Sequence, residues 1–189
     1  LSMNLILASA SPRRKELLSL FHIPFEIKIA DIDEAMDSGK SAAEEVARVS
    51  ALKAHAVERE ADDIVIAADT IVVCENRVLG KPRDEEDARN MLRLLSGRDH
   101  QVMTGCTVLR GEKCHTFTEV TDLHFRPLRE CEIARYVASG EPMDKAGSYG
   151  VQGKGSLLVE KLNGDFFNVM GLPVLRLSRM LAQFGVHLL

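Results

Sequence analysis

Asp69 stands in the middle of Ile64-Val65-Ile66-Ala67-Ala68-Asp69-Thr70-Ile71-Val72-Val73, a run that otherwise reads as a buried strand. Aspartate is depleted in strands and is rarely buried without a partner. Two readings fit: a bulge or turn in which the carboxylate bonds nearby backbone, or a carboxylate on a cleft wall acting as general base or metal ligand. Lys53 poses a similar conflict. On a helix, positions 46, 49, 53, 56 and 57 share a face, which sets Lys53 in a stripe with Val46, Val49, Ala56 and Val57. Such a lysine either extends its stem to reach water or aims its ammonium into a pocket for a polyanion.

Cations also gather where Ser9-Ala10-Ser11-Pro12-Arg13-Arg14 follows the apolar run Leu5–Ala8. Ser11 suits an N-cap and Pro12 the first helical position. Arg13 and Arg14 then fall in the first turn, where the helix dipole disfavours positive charge. Either they point to solvent or pair with acids such as Glu16, or an anion occupies the helix N-terminus and the guanidinium forks hold it. Three further stretches carry polar groups. Ala30-Asp31-Ile32-Asp33-Glu34 is an acidic cluster, read as a solvated turn or as a source of carboxylate for Mg2+. Gly80-Lys81-Pro82 places a lysine in a tight loop. Asp144 to Gly155 contains four glycines together with Lys145, Tyr149 and Gln152. Glycine lets backbone approach a ligand closely, although a flexible surface loop has the same composition. The GxxxxGK[ST] pattern of a P-loop is absent.

The elements that must position these groups follow from periodicity and capping. The sequence predicts strands at 4–8 and 64–74, an extended stretch at 25–30, and a hairpin of 101–109 with 117–125 around Gly111. Helices are expected at 12–21, 41–60 (Ser41 and Glu44 forming a capping box), 84–95, 130–139 and 173–184. Strands are expected at 156–161 and 165–169. The sum is a mixed α/β fold in which at least one hairpin interrupts any purely parallel sheet.

Bulk properties set the outer limits. With 189 residues, 46% hydrophobic and 28% charged, the chain is ordinary globular material for one domain or two closely joined lobes. Net charge is −4, which argues against a nucleic-acid polymer bound through a broad basic face. Cysteines at 74, 106, 114 and 131 form no CxxC pair and read as reduced thiols of a cytoplasmic protein, and the six histidines lack metal-ligand spacing. No apolar run reaches the roughly 20 residues of a membrane span, and no secretory signal is evident. Leu1-Ser2 ahead of Met3 reads as a cloning remnant.

Taken together, Ser9–Leu18, Ala68-Asp69-Thr70, Leu79-Gly80-Lys81-Pro82, Leu95-Ser96-Gly97-Arg98, Glu141–Gly147, Tyr149–Gly153 and Val169-Met170-Gly171-Leu172-Pro173 resemble the Maf family of nucleoside triphosphate pyrophosphatases. The resemblance runs in order from Met3 to the last helix. It implies a single domain over 3–189 with an elongated central sheet flanked by helices and two lobes around a cleft. It implies hydrolysis between the α- and β-phosphates, giving a monophosphate and pyrophosphate, with a divalent cation, Mg2+ or Mn2+. It also implies a cytoplasmic protein, often a homodimer, with no membrane partner.

By motif, Asp69 is the implied proton acceptor, and Arg13, Thr70 and Gln152 the substrate-selecting positions. Ser9, Glu34, Lys53, Lys81 and Lys145 are expected to bind phosphate or line the cleft, with Glu34 and Asp69 as candidate metal ligands. The Asp-Lys-Ala-Gly-x-Tyr-Gly-x-Gln-Gly stretch resembles the branch acting on dTTP and UTP. The alternatives are a 7-methyl-GTP pyrophosphatase, a non-catalytic nucleotide-binding regulator of cell division, and a general phosphatase that releases orthophosphate.

Overall fold

A computed structural model describes residues 3–37 and 39–189; the expected remnant at Leu1-Ser2 lies outside the described residues. Among the described residues, seven strands and six α-helices follow in the order β1 (Leu5–Leu7), α1 (Pro12–Ser19), β2 (Glu26–Ile27), α2 (Ala42–Ala56), β3 (Ile64–Cys74), β4 (Arg77–Leu79), α3 (Glu85–Leu95), β5 (Asp99–Arg110), β6 (Lys113–Phe125), α4 (Glu130–Ala138), β7 (Val159–Asn163), α5 (Phe166–Met170) and α6 (Val174–Ala182). Strand order is β2-β1-β3-β5-β6-β7, with β4 also paired to β3. The chain divides into two compact units. The first holds residues up to Asp69, Thr104–Glu119 and the segment from Gly171; the second holds Thr70–Met103 and Val120–Met170. At 11, 12 and 13 residues, β3, β5 and β6 are long enough to contribute to both.

In the first unit, β1 pairs in parallel with both β2 and β3, with Leu5 opposite Ile64 and Leu7 opposite Ile66. Parallel strands bury both faces and tolerate continuous apolar runs, which is the pattern of Leu5–Leu7 and Ile64–Ala68. Ile6, Ala8, Ala54, Val57, Val65, Ala67 and Leu109 form one core cluster. Helix α2 starts on the expected capping box: the Glu44 amide donates to Ser41 Oγ at 3.2 Å, and the Ser41 amide to Glu44 Oε2 at 2.8 Å. It ends at Ala56 rather than at residue 60, because Val57 turns to extended backbone and enters the core.

Nothing in the residue pattern signals how closely α2 approaches β5. A Cβ built on Gly105 would overlap the carbonyl of Val46, so helix backbone rests directly on strand backbone there. Hydroxyls bridge the same layer: Ser50 Oγ and Thr107 Oγ1 are 2.7 Å apart, and Thr107 Oγ1 and Thr116 Oγ1 2.8 Å. Thr118 Oγ1 donates to the Ala43 carbonyl at 2.8 Å.

In the second unit, β4 returns antiparallel to β3 through a two-residue turn. Glu75 and Asn76 both take positive φ (50° and 63°), the conformation of a tight hairpin that matches strand twist. This hairpin is absent from the sequence expectations, because the turn lacks the usual glycine. Helices α3 and α4 pack together, joined by a bidentate Arg93–Glu130 pair with Nε 2.9 Å from Oε1 and Nη2 3.0 Å from Oε2. His100, Phe125 and Tyr149 stack edge to face, and His100 Nε2 lies 2.7 Å from the Tyr149 hydroxyl.

Two expected strands are corrected. Residues 156–158 belong to or directly follow a 3-10 turn, Lys154–Leu157, and β7 starts only at Val159. The strand expected at 165–169 is instead the helical turn α5. Asp165 Oδ1 accepts the amides of Phe167 at 2.7 Å and Asn168 at 3.2 Å, a cap that starts a helix. The stretch at 25–30 is a strand only over Glu26–Ile27.

Replacing Gly105 with alanine forces β5 and α2 apart. It is expected to cost about 2–3 kcal/mol, read as a lowered urea midpoint at unchanged slope; a midpoint equal to that of the unsubstituted protein would mean the contact is not tight.

Candidate active site

Strand β3 passes through Asp69 without a break. Asp69 and Thr70 are its two adjacent half-exposed positions, between five buried residues on one side and two on the other. The carboxylate is answered by a distant side chain. Lys53, in the last turn of α2, brings Nζ to 3.0 Å from Asp69 Oδ1 and to 3.0 Å from Glu34 Oε1. The Lys53 and Asp69 side chains keep 17% and 15% of their exposure, Glu34 56%. The stripe position of Lys53 therefore aims the ammonium at two carboxylates instead of carrying it out to water. A cation in the last turn of a helix is also favoured by the dipole.

Glu34 lies in a segment without regular structure, and side chains of α2 fasten that segment. Arg48 Nη2 donates to the Ala35 carbonyl at 2.8 Å, and the Asp37 amide donates to Glu45 Oε2 at 2.9 Å. Glu45 and Arg48 form a fork, with Nε 2.9 Å from Oε1 and Nη2 2.9 Å from Oε2; the Glu45 side chain has no exposure. The Arg48 hydrogen bonds and the Asp37 amide hold the Glu45 carboxyl down at about 2.

Arg14 turns inward. The Ser11 and Pro12 start of α1 is as expected, with the Arg14 amide donating to Ser11 Oγ at 3.4 Å. The Arg14 Nε donates to the Gly171 carbonyl at 2.7 Å, and Nη1 lies 3.5 Å from Ser9 Oγ. Ser9 is buried, and its Oγ also accepts the Ser11 amide at 3.1 Å. Burial lowers the Arg14 pKa, and the negative charges of Asp69 and Glu34 work against that shift while Arg13 adds to it. The first unit thus assembles Ser9, Arg14, Glu34, Lys53 and Asp69 into one charged group, with Arg13 half-exposed beside Arg14. Arg14 and Lys53 equal Glu34 and Asp69 in formal charge, and Arg13 stands beside them. The group can orient a carboxylate and attract an anion.

The other expected residues belong to the second unit. Thr70 follows Asp69 in β3. Lys81 is exposed, and the residue before it anchors the glycine-rich stretch: the Gly147 amide donates to the Gly80 carbonyl at 3.1 Å. Lys145 Nζ donates to the Glu141 carbonyl at 2.9 Å and to Asp144 Oδ1 at 2.7 Å. Gln152 is exposed. Tyr149, a polar group of the glycine-rich stretch, is a core residue locked to His100. A cavity of about 540 Å3 in this unit, lined by Glu75, Asp99, Gln101, Asp122 and His124 among others, includes none of the residues singled out from the sequence. Among the described residues no group of three or more His, Cys, Asp or Glu is placed to hold a metal ion. No helix among them is long and apolar enough to cross a membrane.

Sequence reasoning missed the supports: Glu45 and Arg48, which hold the Glu34 segment, and the Gly171 carbonyl, which holds Arg14. A glutamate facing inward from a helix was a usable signal for the first. The second, a backbone group 157 residues away, left none.

Comparison with known proteins gives three findings. The family model described as "Maf-like protein" matches residues 4–184. A Bacillus cereus protein named dTTP/UTP pyrophosphatase is 51% identical over 183 residues, covering 96% of each chain, and the same protein from a second strain matches equally over the same length. A solved structure of a HAM1 protein from Coxiella burnetii shares the fold, with a TM-score of 0.54 at 14% identity over 96% of this chain and 100% of that one.

The depressed Glu45 pKa has a consequence for stability. Its folded value lies below the usual carboxylate value of roughly 4.3, so the stabilisation is complete above that value and drains away as pH falls toward about 2. Urea midpoints measured from pH 6 to pH 3 are expected to fall less steeply in Glu45→Gln than in the unsubstituted protein, and to start from a lower value at pH 6. Parallel curves would contradict this.

Proposed function

The chain belongs to the Maf family, and on that premise we propose that it hydrolyses nucleoside triphosphates, dTTP and UTP foremost, to the monophosphate and pyrophosphate. The observation that carries the reading is the Asp69 carboxylate held by Lys53 in the company of Glu34 and Arg14. The names of the relatives, dTTP/UTP pyrophosphatase, supply the substrate class.

In this reading Asp69 takes a proton from a water molecule that attacks the α-phosphorus. The new bond joins water oxygen to the α-phosphorus. The bond from that phosphorus to the bridging oxygen breaks, and pyrophosphate leaves with the electron pair. Lys53 fixes the carboxylate, so the base needs no reorganisation when water is aimed. Arg14, tethered to the Gly171 carbonyl, stabilises charge developing on the phosphates, as do Arg13 and Ser9 at the start of α1. Phosphate-binding roles for Lys81 and Lys145 are part of the same proposal. Arg13, Thr70 and Gln152 select the substrate: polar groups that pair with one base edge are left unmet by another, which penalises the wrong nucleotide.

The donor set fits a divalent cation carried in by the nucleotide. Glu34 and Asp69 present oxygen to one shared cation, now the Lys53 ammonium. Mg2+ commonly takes one or two carboxylates, completing its shell with water and phosphate oxygens. Glu34 and Asp69 would hold Mg2+ or Mn2+ in that way, and the ion supplies positive charge to the phosphates. We extend the reading to a cytoplasmic homodimer, a state that light scattering on the purified protein measures directly.

The test is pyrophosphate release from dTTP, UTP, 7-methyl-GTP and purine triphosphates, with and without Mg2+. Highest turnover on dTTP and UTP is expected; preference for 7-methyl-GTP, release of orthophosphate, or binding without turnover would each replace the reading with one of its rivals. Asp69→Asn is expected to lower kcat by about 10²–10⁴-fold while nucleotide still binds; retained turnover would remove the base assignment. Gln152→Ala is expected to change the ranking of bases more than the rate on the best one, and equal losses on every nucleotide would contradict that role.

A further inference from the structure

The stretch Gly150-Val151-Gln152-Gly153-Lys154-Gly155 carries three glycines, a composition that leaves a free chain many conformations. In the fold it is tied at both ends to two side chains. The Glu141 carboxylate accepts the Lys154 amide on Oε1 at 2.9 Å and the Gly155 amide on Oε2 at 3.0 Å. The Tyr136 hydroxyl, which lies close enough to the same carboxylate to lower its pKa, accepts the Gly150 amide at 2.9 Å. Between these anchors the Gly153 amide donates to the Gly150 carbonyl at 3.2 Å, closing the turn, and Val151 is buried. Gln152 is left exposed within the turn.

The glycines stand where neighbouring atoms leave no room for a Cβ. A Cβ on Gly153 would overlap the Glu141 carboxylate. One on Gly155 would overlap the Gly150 carbonyl and stand 2.7 Å from the Tyr136 hydroxyl. One on Gly150 would stand 2.7 Å from Lys145 Cε. Burial pushes the Glu141 carboxyl upward, but the Tyr136 hydroxyl, the two amides and the Lys145 charge outweigh it, and the pKa ends below its ordinary value. Burial, and then the nearby Glu141 carboxylate, push the Tyr136 hydroxyl well up. The main chain of Glu141 reaches a second residue of interest, since its carbonyl accepts Lys145 Nζ.

We propose that Glu141, backed by Tyr136, is the positioning residue that fixes the Gly150–Gly155 turn and thereby sets base selection through Gln152. The proposal rests on the reading of Gln152 given above. A carboxylate is required because it accepts on both oxygens; a glutamine in its place turns an NH2 group toward one of the two amide donors.

The experiment compares Glu141→Gln and Tyr136→Phe with the unsubstituted protein by steady-state pyrophosphate release on dTTP, UTP and GTP, and by amide hydrogen exchange. Glu141→Gln is expected to speed exchange at Lys154 and Gly155. It is expected to raise KM for dTTP and UTP about tenfold with kcat kept within about threefold, and to narrow the dTTP-over-GTP ratio of kcat/KM about tenfold. Tyr136→Phe keeps the ring packing and is expected to move each quantity in the same direction by about threefold, and it carries the test if Glu141→Gln does not fold. Unchanged selectivity in a folded variant, or an equal loss of kcat on every nucleotide, overturns the positioning role alone. An unsubstituted protein that releases no pyrophosphate overturns the pyrophosphatase reading and this proposal with it.

Discussion

The Lys53 ammonium between Asp69 and Glu34 is the contact on which the charged group of the first unit depends. A carboxylate in the middle of a buried strand is costly unless a partner answers it, and the partner must come from an element rigid enough to stay in place. Helix α2 meets that need. It is capped at Ser41, and its backbone rests on Gly105. Lys53 therefore reaches Asp69 from a fixed base, and the conflict visible in each sequence stretch taken alone resolves when the two are paired. A lysine in an apolar stripe and an aspartate in an apolar strand explain one another.

Glu34 is the contrasting member. It lies in irregular chain and is more than half exposed, yet its segment does not depend on Lys53 alone. Arg48 and Glu45, one helical turn apart, hold the backbone that follows it through Ala35 and Asp37. A fully covered Glu45 is tolerable only because both oxygens are used, by the Arg48 fork and by an amide. The buried pair fixes the position of the exposed carboxylate, a use of buried charge that has more to do with geometry than with net stability.

What the sequence revealed follows the same physics. Asp69, Lys53 and the arginines after Ser11 were legible because each breaks a local rule, and broken rules concentrate at functional sites. The caps at Ser11 and Ser41 were legible because capping is local. The turn at Phe166–Met170 was not, since a five-residue apolar stretch suits strand or helix equally. What decides it is the Asp165 cap, together with buried Asn168 donating to the Val102 carbonyl at 3.2 Å and to Thr121 Oγ1 at 3.0 Å. Gly105 sat unnoticed in an ordinary strand pattern because its reason is a helix backbone from residue 46. Contacts between backbone and backbone, or between side chain and distant carbonyl, leave almost no mark on residue type at one of the two ends.

That same kind of contact recurs wherever a candidate group must be held still. Arg14 is tethered by the carbonyl of Gly171, Lys145 by the carbonyl of Glu141, and the turn bearing Gln152 by amides on the Glu141 carboxylate. Long cationic side chains lose the most rotamer freedom when they close on an anion, on the order of 0.5–1.5 kcal/mol each. Tethering them in the folded protein moves that loss from the binding step to the folding step, where a core such as the Ile6–Leu109 cluster of the first unit can bear it. In the proposed reading, ligand contact then costs little further ordering, and the attraction between cations and polyphosphate would serve binding and the stabilisation of developing charge. A carbonyl tether adds orientation without adding a negative charge of its own: it fixes the Arg14 guanidinium, and at Lys145 it works beside the Asp144 carboxylate.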